Sequence, residues 1–436
     1  MFNFCTCMSF KQEPCSDEER GKDSPVRKRD FKKGIHEIMC INNPPLRVST
    51  SERGDYGDDR VINLDAGDPT MYETYWKKMG KKATMVIPGW RSMSYYSNGR
   101  SLCWFLEPDL CQQILRLHRV VGNAITEGRY IVVGNGSSQL ILAALYALSS
   151  PESSEPTDVV SAVPYYSSYP SMCDYLKTAL FKWGGDASKY EKEGSNYIEI
   201  VTSPNNPDGS LREPVVNRSG GKLLHDLAYY WPHYTSITAP ADFDVALFTA
   251  SKCTGHAGSR IGWALVKDPE IAMKMVKFIE LNTIGVSKDS QLRAARMLSI
   301  VSDSCEQFGS TNVSDNRGES FYGFGHRLMT ERWCRIRQAV KHGGMFTLPE
   351  FPTAYCTFLH QPTESRPAFA WLKCEDEEED CAGLLRRHKI LGRSGVSFGC
   401  SAQFVRVSML DRDDNFDLLV QRISKITAAP NNSERH

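Results

Sequence analysis

The chain has 436 residues, with 52 basic and 52 acidic side chains, so its net charge is zero and nothing in that balance favours a polyanionic partner such as nucleic acid. Hydrophobic residues make up 41%, charged residues 24% and aromatics 10%, a globular composition at a length that buries a large core. That excludes collagen-like, wholly disordered and small disulfide-scaffold proteins.

Residues 1–59 are polar, mixed in charge and rich in turn formers, and read as disordered, with order beginning near Val61. This head lacks a basic stretch followed by a long apolar core, so no signal peptide is expected; a cytoplasmic location is expected, with an endomembrane or vacuolar one left open. Residues 60–94 are expected to join a smaller domain formed later in the chain. Across 107–126, Leu110, Ile114, Leu117, Val121 and Ile125 recur at helical spacing, and Pro108 suits a first turn. Residues 129–133 read as a strand that runs into Gly134-Asn-Gly-Ser-Ser138 and a helical pattern over 139–148. That apolar stretch, the longest candidate, is amphipathic and far short of the roughly 18 residues of a membrane span. Short apolar runs follow at 158–163, 197–201, 222–224 and 244–249, each ending in a turn-rich or polar segment. Strands alternating with helices predict an α/β layer with a mostly parallel sheet, taken as a large domain over 95–330. Beyond it, runs at 357–359, 368–372 and 404–409 alternate with helical stretches. Residues 415–426 close the chain as a helix that Asp413 or Asp414 would cap. Residues 331–436 thus read as a smaller α+β domain. The acidic run 375–380, flanked by Cys374 and Cys381, reads as a solvated loop or strand end rather than a metal site. The 14 cysteines are mostly scattered singly through apolar patterns, as in a reducing compartment.

The segment from Asp244 to Leu265 carries the most chemistry. A strand delivers Thr249, Ser251 and Lys252 to its C-terminal end, where ligands bind in open α/β sheets, and a glycine-containing loop leads to Arg260. A lysine held among hydroxyls and facing an arginine loses its proton more easily than a surface lysine, and suits imine formation with a carbonyl. Alone, the string reads equally as a surface lysine on a strand end. At Gly134–Ser138 the backbone N–H groups of a helix start can hold a phosphate; no Gly-Lys-Ser/Thr follows, so this is not a P-loop. Ser203-Pro-Asn-Asn206-Pro-Asp-Gly209 is a turn that by itself reads as structural. In Leu223-Leu-His-Asp226-Leu-Ala-Tyr229 an apolar run ends in a carboxylate that could keep a pyridine nitrogen protonated, with a phenol three residues on that could reach the ring's oxygen.

Several strings together, Gly67-Asp-Pro, Trp90-Arg-Ser-Met-Ser-Tyr95, Thr202–Gly209, Tyr229-Tyr-Trp-Pro-His-Tyr234, Lys252–Leu265 and Glu331-Arg-Trp333, resemble the fold-type I pyridoxal phosphate enzymes. The resemblance is closer still to the plant family of tryptophan aminotransferase-related proteins and alliinases, over about residues 61–427. It implies an α/β fold-type I architecture, pyridoxal phosphate as cofactor, and a homodimer. It makes Lys252 the Schiff-base lysine and proton shuttle, and Asp226 the partner of the pyridinium nitrogen. Asn206 and Tyr229 would hydrogen-bond the ring oxygen. Gly136, Ser137, Ser138, Thr249, Ser251 and Arg260 would bind the phosphate. Tyr166 would stack on the ring, with Tyr165 its close competitor, and Tyr95 would reach the phosphate in the partner subunit. Arg406, otherwise an ordinary strand arginine, would grip the substrate carboxylate in a fork.

The activity implied is transfer of the amino group of an aromatic amino acid, L-tryptophan, to pyruvate or 2-oxoglutarate. The product would be indole-3-pyruvate, the first step towards auxin. A cysteine-sulfoxide C–S lyase on the same site is the rival, and a non-catalytic binding protein on this fold a third reading. Alliinases carry a cysteine-rich EGF-like module; Cys5, Cys7, Cys15 and Cys40 are too few for it. Cys374 and Cys381 do resemble a pair in alliinases, which keeps an oxidising compartment open. Gly395-Val-Ser397-Phe-Gly399 matches a hydrolase elbow, but a strand-like run follows it and the later histidine is terminal, so it is set aside. The ten histidines show no metal spacing, and His225 and His256 read as supporting groups rather than catalysts. Of the N-x-S sequons at Asn135, Asn217, Asn312 and Asn431, the first would place a glycan on the phosphate loop and reads as chance.

Overall fold

The computed structural model describes residues 59–150, 155–216, 218–308, 319–375 and 380–427. The head with its four named cysteines, the middle of the acidic run, and Asn217, Asn312 and Asn431 lie outside these residues.

The chain opens with the short strand β1 (Ile62–Asn63) and helix α1 (Glu73–Met79). Helix α2 (Pro108–Val121) follows from its apolar spacing: Leu110, Ile114, Leu117 and Val121 are all buried. It ends before its periodicity does. Gly122 takes φ 71 and returns its N–H to the His118 carbonyl, the usual left-handed helix stop. Ile125, expected on the same helix face, is 36% exposed and donates its N–H to the Ala241 carbonyl.

The central sheet is built next: β2 (Tyr130–Asn135), helix α3 (Gly136–Leu148), β3 (Thr157–Ser161), helix α4 (Ser168–Leu176), β4 (Phe181–Asp186), β5 (Tyr197–Thr202), β6 (Gly221–Asp226), β7 (Val245–Thr249), the short helix α5 (Ala250–Cys253) and β8 (Ile261–Val266). Seven strands lie in the order β2-β8-β7-β6-β5-β3-β4. The neighbours from β7 to β4 are parallel, and β8 runs antiparallel to both β7 and β2. Strands β3, β5, β7 and β8 are buried at every residue, as expected of strands covered on both faces. Two strands of this sheet escaped the sequence reading. Strand β4 carries adjacent glycines and a lysine (Phe-Lys-Trp-Gly-Gly-Asp), and β8 directly follows the Arg260 loop. Helices α6 (Pro269–Thr283), α7 (Lys288–Phe308) and α8 (Phe321–Gly343) complete this part, α6 packing on α3 and α7 on α2.

The remaining elements are β9 (Phe346–Thr347), β10 (Thr353–Cys356), β11 (Gln361–Glu364), β12 (Phe369–Cys374), α9 (Cys381–Arg387), β13 (Ile390–Leu391), β14 (Arg393–Ser394), β15 (Phe404–Ser408) and α10 (Asp413–Ile423). A four-stranded antiparallel sheet has the order β14-β15-β12-β9, and β1 pairs in parallel with β13. The run at 357–359 is not a strand but part of the turn joining β10 to β11. Neither Asp413 nor Asp414 caps α10. Arg412 holds the cap position, and both aspartates lie in the first turn, where their charge favours the helix dipole. Asp413 instead accepts a hydrogen bond from the buried Arg332 at 2.7 Å.

Gly395–Phe398 is a single tight turn leading towards β15, so Ser397 sits on no strand-to-helix elbow. Cys374 and Cys381 are buried free thiols in contact with each other. Among the described residues no helix is long and apolar enough to cross a membrane, and no cluster of three or more His, Cys, Asp or Glu side chains gathers as a metal site.

Candidate active site

The C-terminal ends of β5, β6 and β7 and the β2–α3 junction deliver Thr202, Asp226, Thr249 and Gly136. At the end of β7, Thr249 starts α5: its Oγ1 accepts the Ser251 N–H at 3.2 Å and donates to the Ile261 carbonyl at 3.1 Å. The hydroxyl proton is therefore committed within the protein. Thr249 acts here as the cap of that helix.

Arg260 leaves its loop in a left-handed conformation (φ 53) and directs Nη1 to the Ala257 carbonyl at 3.0 Å and to Ser251 Oγ at 3.4 Å. Its guanidinium lies directly over Gly136: a Cβ there would stand 2.3 Å from Arg260 Nη2. Asn135 supplies no side-chain cap to α3, so the first N–H groups of that helix, at Gly136, Ser137 and Ser138, have no partner from the cap side chain. A helix start, a guanidinium and the Ser251 hydroxyl thus form an anion cradle.

Lys252 is held in α5 with its backbone carbonyl 3.2 Å from His233 Nε2. Its Nζ donates to the Gly67 carbonyl at 2.5 Å and lies 5.5 Å from the centroid of the Tyr229 ring. Burial, then the charge of Arg406, depress its pKa to about 8, with Asp68 opposing and Arg260 a smaller contributor. The hydroxyls expected to lower it are not the main cause; desolvation is.

Asp226, buried at the end of β6, accepts the Tyr169 phenol on Oδ2 at 2.9 Å and the Ala228 N–H on Oδ1 at 3.2 Å. Burial raises its pKa, and the Tyr169 and Ala228 hydrogen bonds oppose that rise. Tyr229 is buried nearby, and burial pushes its phenol well above the usual range, so it remains a donor.

Arg406 is 2% exposed. Its Nη1 donates to Asn206 Oδ1 at 2.7 Å and its Nη2 to the Asp65 carbonyl at 2.5 Å. The plane rests over Phe369, 4.1 Å to the centroid, and Nε is buried without a partner. Burial, then Arg393, lower its pKa to about 10.

Asn206 itself is held by a rigid turn. Asp208 accepts from Asn205, Ser210 and Arg212, and Asn205 also donates to the Pro164 carbonyl at 2.8 Å. Gly209 (φ 74) lies so close to Pro367 that a Cβ would meet it at 2.1 Å, which accounts for the glycine in this string.

Tyr165 and Tyr166 pack in different surroundings. Tyr165 lies edge-on to Trp183 (centroids 4.9 Å apart) and against Gly399. Tyr166 instead meets the ring of Tyr169 at 5.3 Å and is an electrostatic neighbour of Tyr229 and Arg406. His225 stacks on Phe243 with centroids 3.5 Å apart, and burial lowers its pKa to about 4, so it is neutral. His256 packs against Trp76. Tyr95 is 59% exposed among Tyr96 and Trp104.

Sequence reasoning missed Asp65, Arg393 and Tyr169. Arg393 on β14 stands opposite Arg406 on β15. The Asp65 carboxylate grips Arg393 through both oxygens, at 2.8 and 2.6 Å, which offsets the juxtaposed like charges. Gly67-Asp-Pro was visible as a string, but nothing local to Asp65 marks a residue that pairs with the chain's far end.

The chemistry of these side chains fits pyridoxal phosphate: a guanidinium and a hydroxyl beside a helix start, and a buried amine, carboxylate and arginine gathered around Tyr229. The fold is that of the fold-type I pyridoxal phosphate-dependent enzymes, which use pyridoxal phosphate as cofactor. Among solved structures, an aminotransferase from Staphylococcus aureus is similar with a TM-score of 0.59 at 17% identity, covering 87% of this chain and 97% of its own. An aspartate aminotransferase variant from Thermus thermophilus gives a TM-score of 0.60 at 16% identity, covering 84% and 92%. At these identities the likeness is one of fold.

The chain belongs to the alliinase family: residues 62–427 match the family model described as "Allinase". Tryptophan aminotransferase-related protein 2 of Arabidopsis thaliana is 58% identical over 368 residues, 84% of this chain and 82% of the relative. Alliin lyase 1 of Allium sativum is 35% identical over 404 residues, 90% and 81% of the respective chains.

Proposed function

We propose that this chain is an aminotransferase that moves the amino group of L-tryptophan to a 2-oxo acid such as pyruvate or 2-oxoglutarate. The product is indole-3-pyruvate, and the reaction is the first step towards auxin. The observation that carries the reading is the buried Lys252 amine, with its pKa lowered to about 8, gathered around Tyr229 with the Asp226 carboxylate and the Arg406 guanidinium. The greater similarity to a tryptophan aminotransferase-related protein, 58% against 35% for an alliin lyase, favours transamination over C–S cleavage.

Bound pyridoxal phosphate supplies an electron sink for the pair left behind when the substrate Cα loses its proton. Arg260, Ser251 and the start of α3 hold its phosphate. Asp226 keeps a negative charge facing the ring nitrogen, and Asn206 and Tyr229 provide donors for the ring oxygen. Tyr166 would stack on the ring. Lys252 Nζ would take the Cα proton and deliver it to the cofactor's C4′, which its partly neutral state at physiological pH permits. Arg406, oriented by Asn206 and the Asp65 carbonyl, holds the α-carboxylate. Tyr95, with the exposed Trp90, Met93 and Tyr96, forms a surface suited to a second copy of the chain, where Tyr95 would reach the neighbouring phosphate.

Arg406→Lys is expected to raise the Michaelis constant about tenfold or more for both the amino acid and the oxo acid, because a point charge does not replace a fork. Steady-state kinetics with each substrate varied checks this; an effect on one alone overturns the assignment.

Incubation with tryptophan and pyruvate is expected to yield indole-3-pyruvate and alanine in equal amounts, with little free indole or ammonia. The reason is that indole leaves poorly unless its C3 is protonated. Indole and ammonia in quantity, or no reaction with tryptophan alongside rapid pyruvate release from an S-alkyl cysteine sulfoxide, would mark the protein as a lyase.

A further inference from the structure

Strands β5 and β6 pair so that Thr202 and Asp226 are register partners, placing a hydroxyl and a carboxylate side by side at neighbouring strand ends. Tyr169, in the first turn of α4, lays its phenol across both. The oxygen is 2.7 Å from Thr202 Oγ1 and 2.9 Å from Asp226 Oδ2. Relative exposures are 1% for Tyr169, 3% for Thr202 and 5% for Asp226.

We propose that Thr202 and Tyr169 form a directed two-link hydrogen-bond chain that holds the Asp226 carboxylate ionised and aimed, which makes Tyr169 a positioning residue for the reaction. This rests on the reading of Asp226 as the partner of a protonated ring nitrogen. The direction of the chain follows from proton inventory. An ionised carboxylate only accepts, and a phenol carries one proton. That proton goes to Asp226, so the threonine hydroxyl must donate to the phenol oxygen. A hydroxyl that is itself hydrogen-bonded on its oxygen is the stronger donor, so Thr202 reinforces the Tyr169–Asp226 bond without touching the carboxylate.

The other carboxylate oxygen has the fixed Ala228 N–H, whose strength no side chain adjusts. Burial and the nearby carboxylate hold the Tyr169 phenol firmly protonated, consistent with its role as donor. Of the other titratable groups around Asp226, Tyr229 faces it from the following turn as a buried neutral phenol, and His225 is stacked on Phe243. Without the phenol, the buried carboxylate has lost a donor and becomes more basic. The shared proton then moves from the ring nitrogen towards Asp226, and the electron sink weakens.

The test uses the full-length enzyme reconstituted with ring-15N-labelled pyridoxal phosphate. Wild type, Tyr169→Phe, Thr202→Val, Thr202→Ser and the double variant Tyr169→Phe/Thr202→Val are compared. Tyr169→Phe keeps the ring that packs on Tyr166 and removes only the hydroxyl. The ring-nitrogen resonance is expected to shift from the protonated towards the unprotonated position in Tyr169→Phe and, less, in Thr202→Val, with Thr202→Ser restoring it. Single-turnover tryptophan deprotonation is expected to fall roughly ten- to hundredfold in Tyr169→Phe, as for a hydrogen bond to a charged group, and a few-fold in Thr202→Val. The double variant should be no worse than Tyr169→Phe, because Thr202 acts only through the phenol. An unprotonated wild-type ring nitrogen overturns the reading of Asp226 and this proposal with it. A protonated wild-type signal that persists in Tyr169→Phe, or losses that multiply in the double variant, overturn this proposal alone. The Thr202 variants keep the test decisive should Tyr169→Phe not fold.

Discussion

Lys252→Ala is expected to leave no measurable turnover with tryptophan and any oxo acid. The charged groups near Lys252 do not replace it: Arg406, with its pKa lowered only to about 10, stays protonated at neutral pH, and Asp226 is committed to Tyr169 and Ala228. The anion cradle at Gly136, Ser251 and Arg260 is intact in this variant, so cofactor is still expected to bind, reversibly. Borohydride treatment followed by mass spectrometry should show a cofactor adduct on the wild-type chain and none on the variant. More than a few per cent of wild-type activity would refute Lys252 as the catalytic group.

The same residue sets a pH dependence with a definite sign. A lysine pKa lowered to about 8 leaves about a tenth of the amines neutral at pH 7, against roughly one in three thousand for an ordinary lysine. The neutral amine is the nucleophile. Capture of added cofactor by the apoenzyme, followed by stopped-flow absorbance, should therefore accelerate as pH rises towards about 8 and level off above it. Continued acceleration well into the alkaline range would show that burial and Arg406 do not depress this amine.

Asp226→Ala is expected to slow proton abstraction by about two to four orders of magnitude, the scale on which preorganised charges act in transition states, while changing substrate affinity far less. The substitution also strands the Tyr169 phenol and the Ala228 N–H in a buried site without their acceptor, so some thermal stability should be lost too. Single-turnover measurements under saturating tryptophan separate the chemical effect from the structural one. A near-normal rate would mean that something other than Asp226 holds the ring nitrogen.

The residues proposed to carry chemistry stand out in the sequence because their signals are local. Lys252 follows an apolar strand and precedes a glycine loop with an arginine; Asp226 ends an apolar run; Gly134–Ser138 joins a strand to a helix. Strands β5, β6 and β7 were legible for a related reason, since buried parallel strands appear as short apolar runs between turn formers. Strand β4 was not, because its glycines erase the pattern, and the early stop of α2 turned on one left-handed glycine inside a continuing periodicity.

What tertiary structure alone decided is how those groups are charged, aimed and partnered. Lys252 bonds to Gly67 across 185 residues of chain, and Arg406 to Asp65 across 341. The lysine's lowered pKa comes from burial and from Arg406, neither of which its neighbours in sequence supply. The different packing of Tyr165 and Tyr166, the capture of Thr249 by the Ile261 carbonyl, and the pairing of Arg393 with Asp65 likewise depend on which segments lie side by side. Periodicity and turn chemistry act over a few residues and are written along the chain. Desolvation and electrostatic pairing arise only when distant segments enclose the same space, so they become readable only once the chain has folded.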